Sequence, residues 1–414
     1  MSLRLQPMPF NCKSPYVCIG LRTHQEGRAT ATVMSGSLAC FRGWHPALAR
    51  AELAALLPQA MLTPTSCPRW VWVDTNNSDD NQQALDVASG LQAFLLDGKL
   101  HRWTGDEEPL LAAVSHYLHS HPVDGTVKVL AWRQEQRIPG VSTSVLSGEI
   151  GGIMAQRGWS VELESPDHVL ALIADGPTST LAFGWMQGQG PVPFEHRARQ
   201  ATQRPFFKPV SLDPKLARLV VNMAGGPRGS GPIVDPMTGT GGFVIEASLS
   251  GRPCLGLDIN SEMVAGASAN MAWAHDGDVP ESSIVRRGDA TNMEQALPTA
   301  WHGTVAGFVL DPPYGRNSHG TMGSMSLISK TLSSARRLCK PNGQFVLILP
   351  VEPMGERLDE TVALDEHVRL VNGEWEGLLQ TMVEQGWNPR TAWVERVHRS
   401  LSRLILLAEC APQD

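Results

Sequence analysis

"IVDPMTGTGGFVIEA", residues 233–247, reads as a strand, a turn and a helix in succession. Ile233 and Val234 close an apolar run, and Asp235 ends it. Pro236 and Thr238 lead into Gly239 and Gly241, which tolerate positive φ and let a ligand approach the backbone. A helix starts near Gly242, and its first turn offers N–H groups with no helical partner. The stretch is not a dinucleotide fingerprint, because Val244 stands where the third glycine belongs. It is not a P-loop either, since no Lys-Ser/Thr follows. The turn therefore need not face a pyrophosphate. An amino-acid carboxylate at the helix end, with Asp235 near an ammonium, suits it better. Taken alone, the same residues are equally a tight strand–helix turn.

The surrounding chain repeats this pattern. Pro232–Asp235, Cys254–Asp258, Val305–Asp311, Gln344–Pro350 and Leu404–Leu407 are short apolar strands separated by helical stretches, which predicts a doubly wound, mostly parallel sheet. Asp213, followed by Pro214, starts a helix just before it. Asp258, beside Ile259, ends a strand 23 residues after Asp235; an acid there can hold ribose hydroxyls or merely cap a helix. Asp289, beside Ala290, can accept from an adenine amine or sit on a surface turn. Asp311 ends another strand, 22 residues after Asp289, and opens Asp311-Pro312-Pro313-Tyr314. The carboxyl ends of neighbouring strands in such a sheet share one rim, where ligands bind. Each acid alone is weak; their order is what carries meaning. After Gly315 the chain is rich in Gly, Ser and Met, and His319 there has no acid or nucleophile for a partner in the sequence.

The 414 residues exceed one ordinary core. At 42% hydrophobic and 18% charged, the composition is globular. No apolar run reaches membrane-span length, and the start lacks a secretory signal. Seven scattered cysteines without a C-x-x-C argue against zinc ribbons and disulfide frameworks and predict a cytoplasmic protein with no metal. The net charge of −7 requires any nucleic-acid partner to use a local basic patch. Arg197, Arg199, Arg204 and Lys208, with few acids around them, are the best such set, and Arg133 and Arg137 add to it. They lie along the Gly- and Pro-rich stretch 188–209 and upstream of it. Upstream also lie a helix over 46–57 and strands over 70–73, 128–132, 159–163 and 169–173, with a helix over 148–157. The expected division is an α+β, ferredoxin-like unit over 1–95, a second α+β unit over 96–188, a linker over 189–208 and the sheet domain over 209–414.

The stretch 233–247, with Asp258, Asp289 and Asp311-Pro312-Pro313-Tyr314, resembles the motifs of class I S-adenosylmethionine methyltransferases, in the branch that methylates exocyclic amines of nucleobases. "RPFFKPVSLDPKLARLVVNMAG" (204–225) resembles the segment that closes over the cofactor, with Phe207 and Pro209 in contact with it. "GEIGGIMAQRGWSVELESPDHVLALI" (148–173) resembles a THUMP RNA-binding domain. "ERVHRSLSRLILL" (395–407) and "HPALARAELAALL" (45–57) resemble the C-terminal hairpin and N-terminal helix of archaeal and eukaryotic tRNA guanosine N2-methyltransferases acting at tRNA position 10. The resemblance implies S-adenosyl-L-methionine as cofactor and tRNA as partner, and it allows a small activator subunit. It also implies that Asp311 and the Pro312 carbonyl orient the amine while Tyr314 stacks on the base. N6-adenine methylation, N2-guanine methylation elsewhere in tRNA or ribosomal RNA, and a silent RNA-binding relic are the alternatives. The THUMP-like half speaks against DNA, and the intact motif against a relic.

Overall fold

A computed structural model describes residues 36–75, 78–192, 199–208, 211–313, 324–355 and 357–412. In the N-terminal half the chain runs β1 (Ser37–Phe41), α1 (Pro46–Leu56), β2 (Met61–Pro64), β3 (Trp70–Asp74), α2 (Ser78–Val87), β4 (Leu91–Arg102), α3 (Glu108–Ser120), β5 (Thr126–Arg133), α4 (Thr143–Gln156), β6 (Ser160–Val161), β7 (His168–Asp175) and β8 (Thr180–Gly188). These strands form one sheet in the order β2-β3-β1-β4-β8-β7-β5-β6. The expected boundary at 95/96 falls inside β4, which pairs with β1 on one side and β8 on the other. Asp97-Gly98 has the composition of a hairpin turn. Here it is a bulge within one long strand, with Asp97 at φ 44°. The sheet curls strongly. Arg69, before β3, donates to Asp175 at the end of β7 (3.1 Å), although β1, β4 and β8 lie between those strands. The expected strand over 159–163 shrinks to Ser160–Val161, which pairs only with the edge at Thr126 and Val127 and stays exposed.

The second half runs α5 (Pro214–Gly225), β9 (Ile233–Asp235), α6 (Gly242–Leu249), β10 (Cys254–Asp258), α7 (Ser261–Ala274), β11 (Ser283–Arg287), β12 (Val305–Leu310), α8 (Ser324–Leu338), β13 (Cys339–Val351), α9 (Trp375–Glu384), β14 (Trp387–His398) and β15 (Leu401–Cys410). The sheet order is β11-β10-β9-β12-β13-β15-β14, with β9 to β13 parallel and the final hairpin antiparallel. Order reverses at β9, from which the chain builds outward to β11 on one side and to β13 on the other. Asp213 caps α5 by accepting from Lys215 N at 2.8 Å, as its sequence position implies. Phe308 stacks on Phe345 and Trp387 meets both rings edge-on in one core layer beneath α8 and α9.

The halves share buried surface. Ala47 and Leu48 of α1 belong to the same core as Leu216, Leu219 and Val220 of α5. Within it lies Glu52, fully buried, accepting from Ser89 N (2.8 Å), Gly90 N (2.7 Å) and Asn222 Nδ2 of α5 (2.7 Å). Burial pushes its carboxyl upward, and the three donors pull the other way. Among the described residues no helix is long and apolar enough to cross a membrane. Glu52→Ala strands these donors and should lower unfolding stability by about 3 kcal/mol, read by urea denaturation.

Candidate active site

The register sets the rim. Asp235 is aligned with Gly256 of β10, so Asp258 reaches two residues further toward the carboxyl edge. On the other side Val234 is aligned with Phe308 of β12, so Asp311 also lies two residues beyond the level of Asp235. Arg287 of β11 is aligned with Asp258, and Asp289 follows two residues later. All four acids of the predicted series therefore stand at one edge, with Asp235 lowest and central.

Asp235 is 1% exposed. Burial pushes its pKa up to about 8, against the pull of Thr238 and the Met237 N–H, with Asp258 and Asp311 adding repulsion. Asp258 Oδ2 accepts from Gly239 N (3.0 Å) and its Oδ1 from Asn260 N (2.9 Å), so it braces the glycine turn as well as ending β10. Gly239 and Gly241 have φ of 53° and 85°. A Cβ on Gly239 would meet nothing within 4 Å, so this turn faces open space. Gly256 lacks a side chain where Thr238 packs, 2.8 Å from the position of an added Cβ. Pro236 is buried beneath the turn. Asp289 uses Oδ1 for Thr291 N and Oγ1, both at 2.8 Å, and Ala290 is buried beside it. Ile259, at 66% exposure, and Phe207, at 45%, present apolar surface outward. Pro312 is buried and Asp311 half-buried. Pro209, Tyr314, Arg197 and His319 lie outside the described residues.

The segment before α5 is held against the glycine turn. Asn270 of α7, fully buried, accepts from Phe206 N (2.8 Å) and donates Nδ2 to Phe206 O (2.8 Å) and Thr240 O (2.9 Å). Gly266 lies directly under the Phe206 ring, which would collide with any Cβ there. Lys208 pairs with Glu262 at 2.8 Å and Ser211 Oγ meets Thr240 Oγ1 at 3.0 Å. Nothing in the sequence marked Asn270.

Arg199 and Arg204, two of the expected RNA contacts, turn inward. Arg199 and Arg218 both bind the fully buried Glu246 of α6, at 2.8 and 3.0 Å. Arg204 is 5% exposed, donates Nε to Arg199 O, and feels Glu246 and Asp213. Arg199 is thus an inward counter-charge, and Arg204 is buried beside it. A carboxylate inside an apolar helix turn must be neutralised, and Glu246 in "FVIEA" was the available signal. Lys208 is half-exposed but paired, while Arg133 and Arg137 are exposed. No group of three or more metal-ligating side chains occurs among the described residues.

Residues 201–380 match the family described as RMKL-like, methyltransferase domain. The chain is 29% identical over 260 residues to the tRNA (guanine(10)-N2)-dimethyltransferase of Pyrococcus abyssi, covering 63% of this chain and 67% of that one. It is 30% identical over 275 residues to the same-named protein of Methanothermobacter thermautotrophicus, covering 65% of this chain and 69% of that protein. The chain belongs to the tRNA (guanine(10)-N2)-dimethyltransferase family. The crystal structure of TrmN from Thermus thermophilus aligns over 90% of this chain and 99% of that one, with 20% identity and a TM-score of 0.46. The sheet order and rim described above are those of a Rossmann-like methyltransferase domain. Arg199→Ala should lower stability by about 3 kcal/mol in urea denaturation and leave the salt dependence of tRNA binding unchanged, because the side chain neutralises Glu246 rather than a phosphate.

Proposed function

We propose that the chain transfers methyl groups from S-adenosylmethionine to the N2 amine of a guanosine in tRNA, at position 10 as in its named relatives, once and then again. The reading rests on one juxtaposition: Asp311-Pro312 stands beside Asp235 and Asp258 at the point where strand order reverses. Bound S-adenosylmethionine supplies an electrophilic methyl on its sulfonium. The residues present suit that molecule. Gly239 leaves a cradle, buried Asp235 is a counter-charge for an ammonium, and Asp258 and Asp289 offer oxygens for ribose and adenine. Ile259 and Phe207 offer exposed apolar faces for the adenine and the methionine chain.

A guanine amine is a poor nucleophile, because its lone pair is delocalised into the ring. Asp311 and the Pro312 carbonyl accept its two N–H bonds and favour a pyramidal nitrogen. Pro313 has no N–H, so the Pro312–Pro313 link presents an acceptor without a competing donor. The proton leaves after transfer, when the nitrogen is cationic, so Asp311 need not be a strong base. Tyr314 supplies a stacking face for the base, and a guanosine in a paired stem must first be extruded. The curled N-terminal sheet acts as the THUMP-type RNA-binding half, with Arg133 and Arg137 on its surface.

Mass mapping of tRNA nucleosides after incubation with protein and cofactor should find N2-methylguanosine and then N2,N2-dimethylguanosine; methylated adenosine alone would overturn the reading. Asp311→Ala should keep S-adenosylhomocysteine affinity within about twofold and lose at least about 100-fold in transfer. Affinity for S-adenosylhomocysteine should rise with pH up to about 8, because below that Asp235 is protonated and must release its proton to meet the ammonium. Asp235→Asn should abolish the acidic limb in calorimetric titrations between pH 5.5 and 9.

A further inference from the structure

Beyond Asp311 the rim continues toward β13. Pro312, Ile328 of α8, Leu349 and Pro350 of β13, Leu370 and Asn372 line a depression there. Its far wall is the segment 370–372. Val371 N donates to Pro350 O at 3.0 Å, and Leu370 bridges to Val351, so this segment is tied to the carboxyl end of β13. Just past it, Gly373 takes φ 90° against Met325 of α8. Among the described residues lining the depression, Asn372 alone has a polar side chain, and it is exposed with no hydrogen bond to another described residue. Cofactor-side groups stand over β9 and β10, so a base whose amine meets Asp311 and Pro312 extends over β12 and β13, toward Asn372.

Guanine's Watson–Crick edge carries the amine, then the N1–H donor, then the O6 acceptor. Once the amine is held by Asp311 and Pro312, the two remaining groups need an acceptor and a donor side by side. A carboxamide presents that pair. Apolar walls of proline and leucine can enclose the ring but cannot read its edge.

The geometry points to Asn372 as the residue that selects guanine, pairing its carboxamide with N1–H and O6 of the extruded base. This rests on the N2-guanosine reading above and deepens it. The site that hydrogen-bonds a substrate group discriminates against analogues lacking it, because its own polar atoms are then left unpaired.

The test uses the full chain and tRNA transcripts carrying either guanosine or 2-aminopurine ribonucleoside at the position that the unaltered protein methylates. 2-Aminopurine keeps the 2-amine but lacks O6 and has a bare N1, so it can take one bond from the amide instead of two. Asn372→Ala should slow transfer to guanosine roughly 50-fold and to 2-aminopurine roughly 5-fold, with S-adenosylhomocysteine affinity unchanged. Intrinsic differences in amine reactivity cancel in that ratio. Equal losses on both transcripts, or no loss on guanosine, would overturn the assignment. Should the alanine variant fail to fold, Asn372→Asp reads the same pairing with the order reversed: the carboxylate still accepts from guanosine N1–H but faces the bare N1 of 2-aminopurine acceptor to acceptor, so the loss on 2-aminopurine should exceed the loss on guanosine, and equal losses would overturn the assignment. A protein that methylates no tRNA guanosine in unaltered form fails the parent reading, which the first measurement separates from this one.

Discussion

Parallel register governs this molecule. Once β9 pairs in register with β10 and β12, three carboxylates from distant parts of the chain must gather at one edge, the outer two a step beyond the central one. Asp235, lowest and driest, is then forced toward its neutral form by burial and by the two acids above it. A site of this kind is unfavourable until a cation enters, which is why an ammonium-bearing ligand matches it. The glycine turn depends on the same register, because Asp258 can accept from Gly239 N only when β10 ends beside it.

Buried charge does a different job away from the rim. Glu246 draws Arg199 and Arg218 inward, and Asn270 fastens Phe206 to Thr240. Together they convert a polar, glycine-rich connection into a fixed lip over the glycine turn. Glu52 does the equivalent between α1, the 87–90 turn and α5. Such interactions return little net stability, since desolvation offsets most of the attraction. Their consequence is positional: each admits one arrangement, and a displaced segment would leave a charge or an amide unpaired.

The two sheets differ in how they expose function. The catalytic sheet gathers its acids at the carboxyl edge, and its inner strands β9, β10 and β12 are otherwise apolar. The N-terminal sheet curls until Arg69 meets Asp175 and leaves basic groups such as Arg133 and Arg137 outside. The proposed chemistry and the proposed contact with a polyanion thus fall on separate surfaces, joined through α1 and α5.

By itself the sequence determined the strand–turn–helix at 233–247, the order of the four acids, the capped start of α5 and the alternation that makes a doubly wound sheet. These are local: capping, glycine turns and apolar periodicity are decided within a few residues. Tertiary structure decided what local pattern cannot carry. It turned Asp97-Gly98 from an apparent turn into a bulge, so that one sheet spans the expected boundary at 95/96. It took Arg199 out of the solvent, because Glu246 in a neighbouring helix required a counter-charge, and buried Arg204 beside it against the Arg199 carbonyl. It brought Asn372 to the Pro312 turn, 60 residues away in the chain, through pairing with the end of β13. Contacts between elements distant in sequence depend on which faces meet, and only packing settles that.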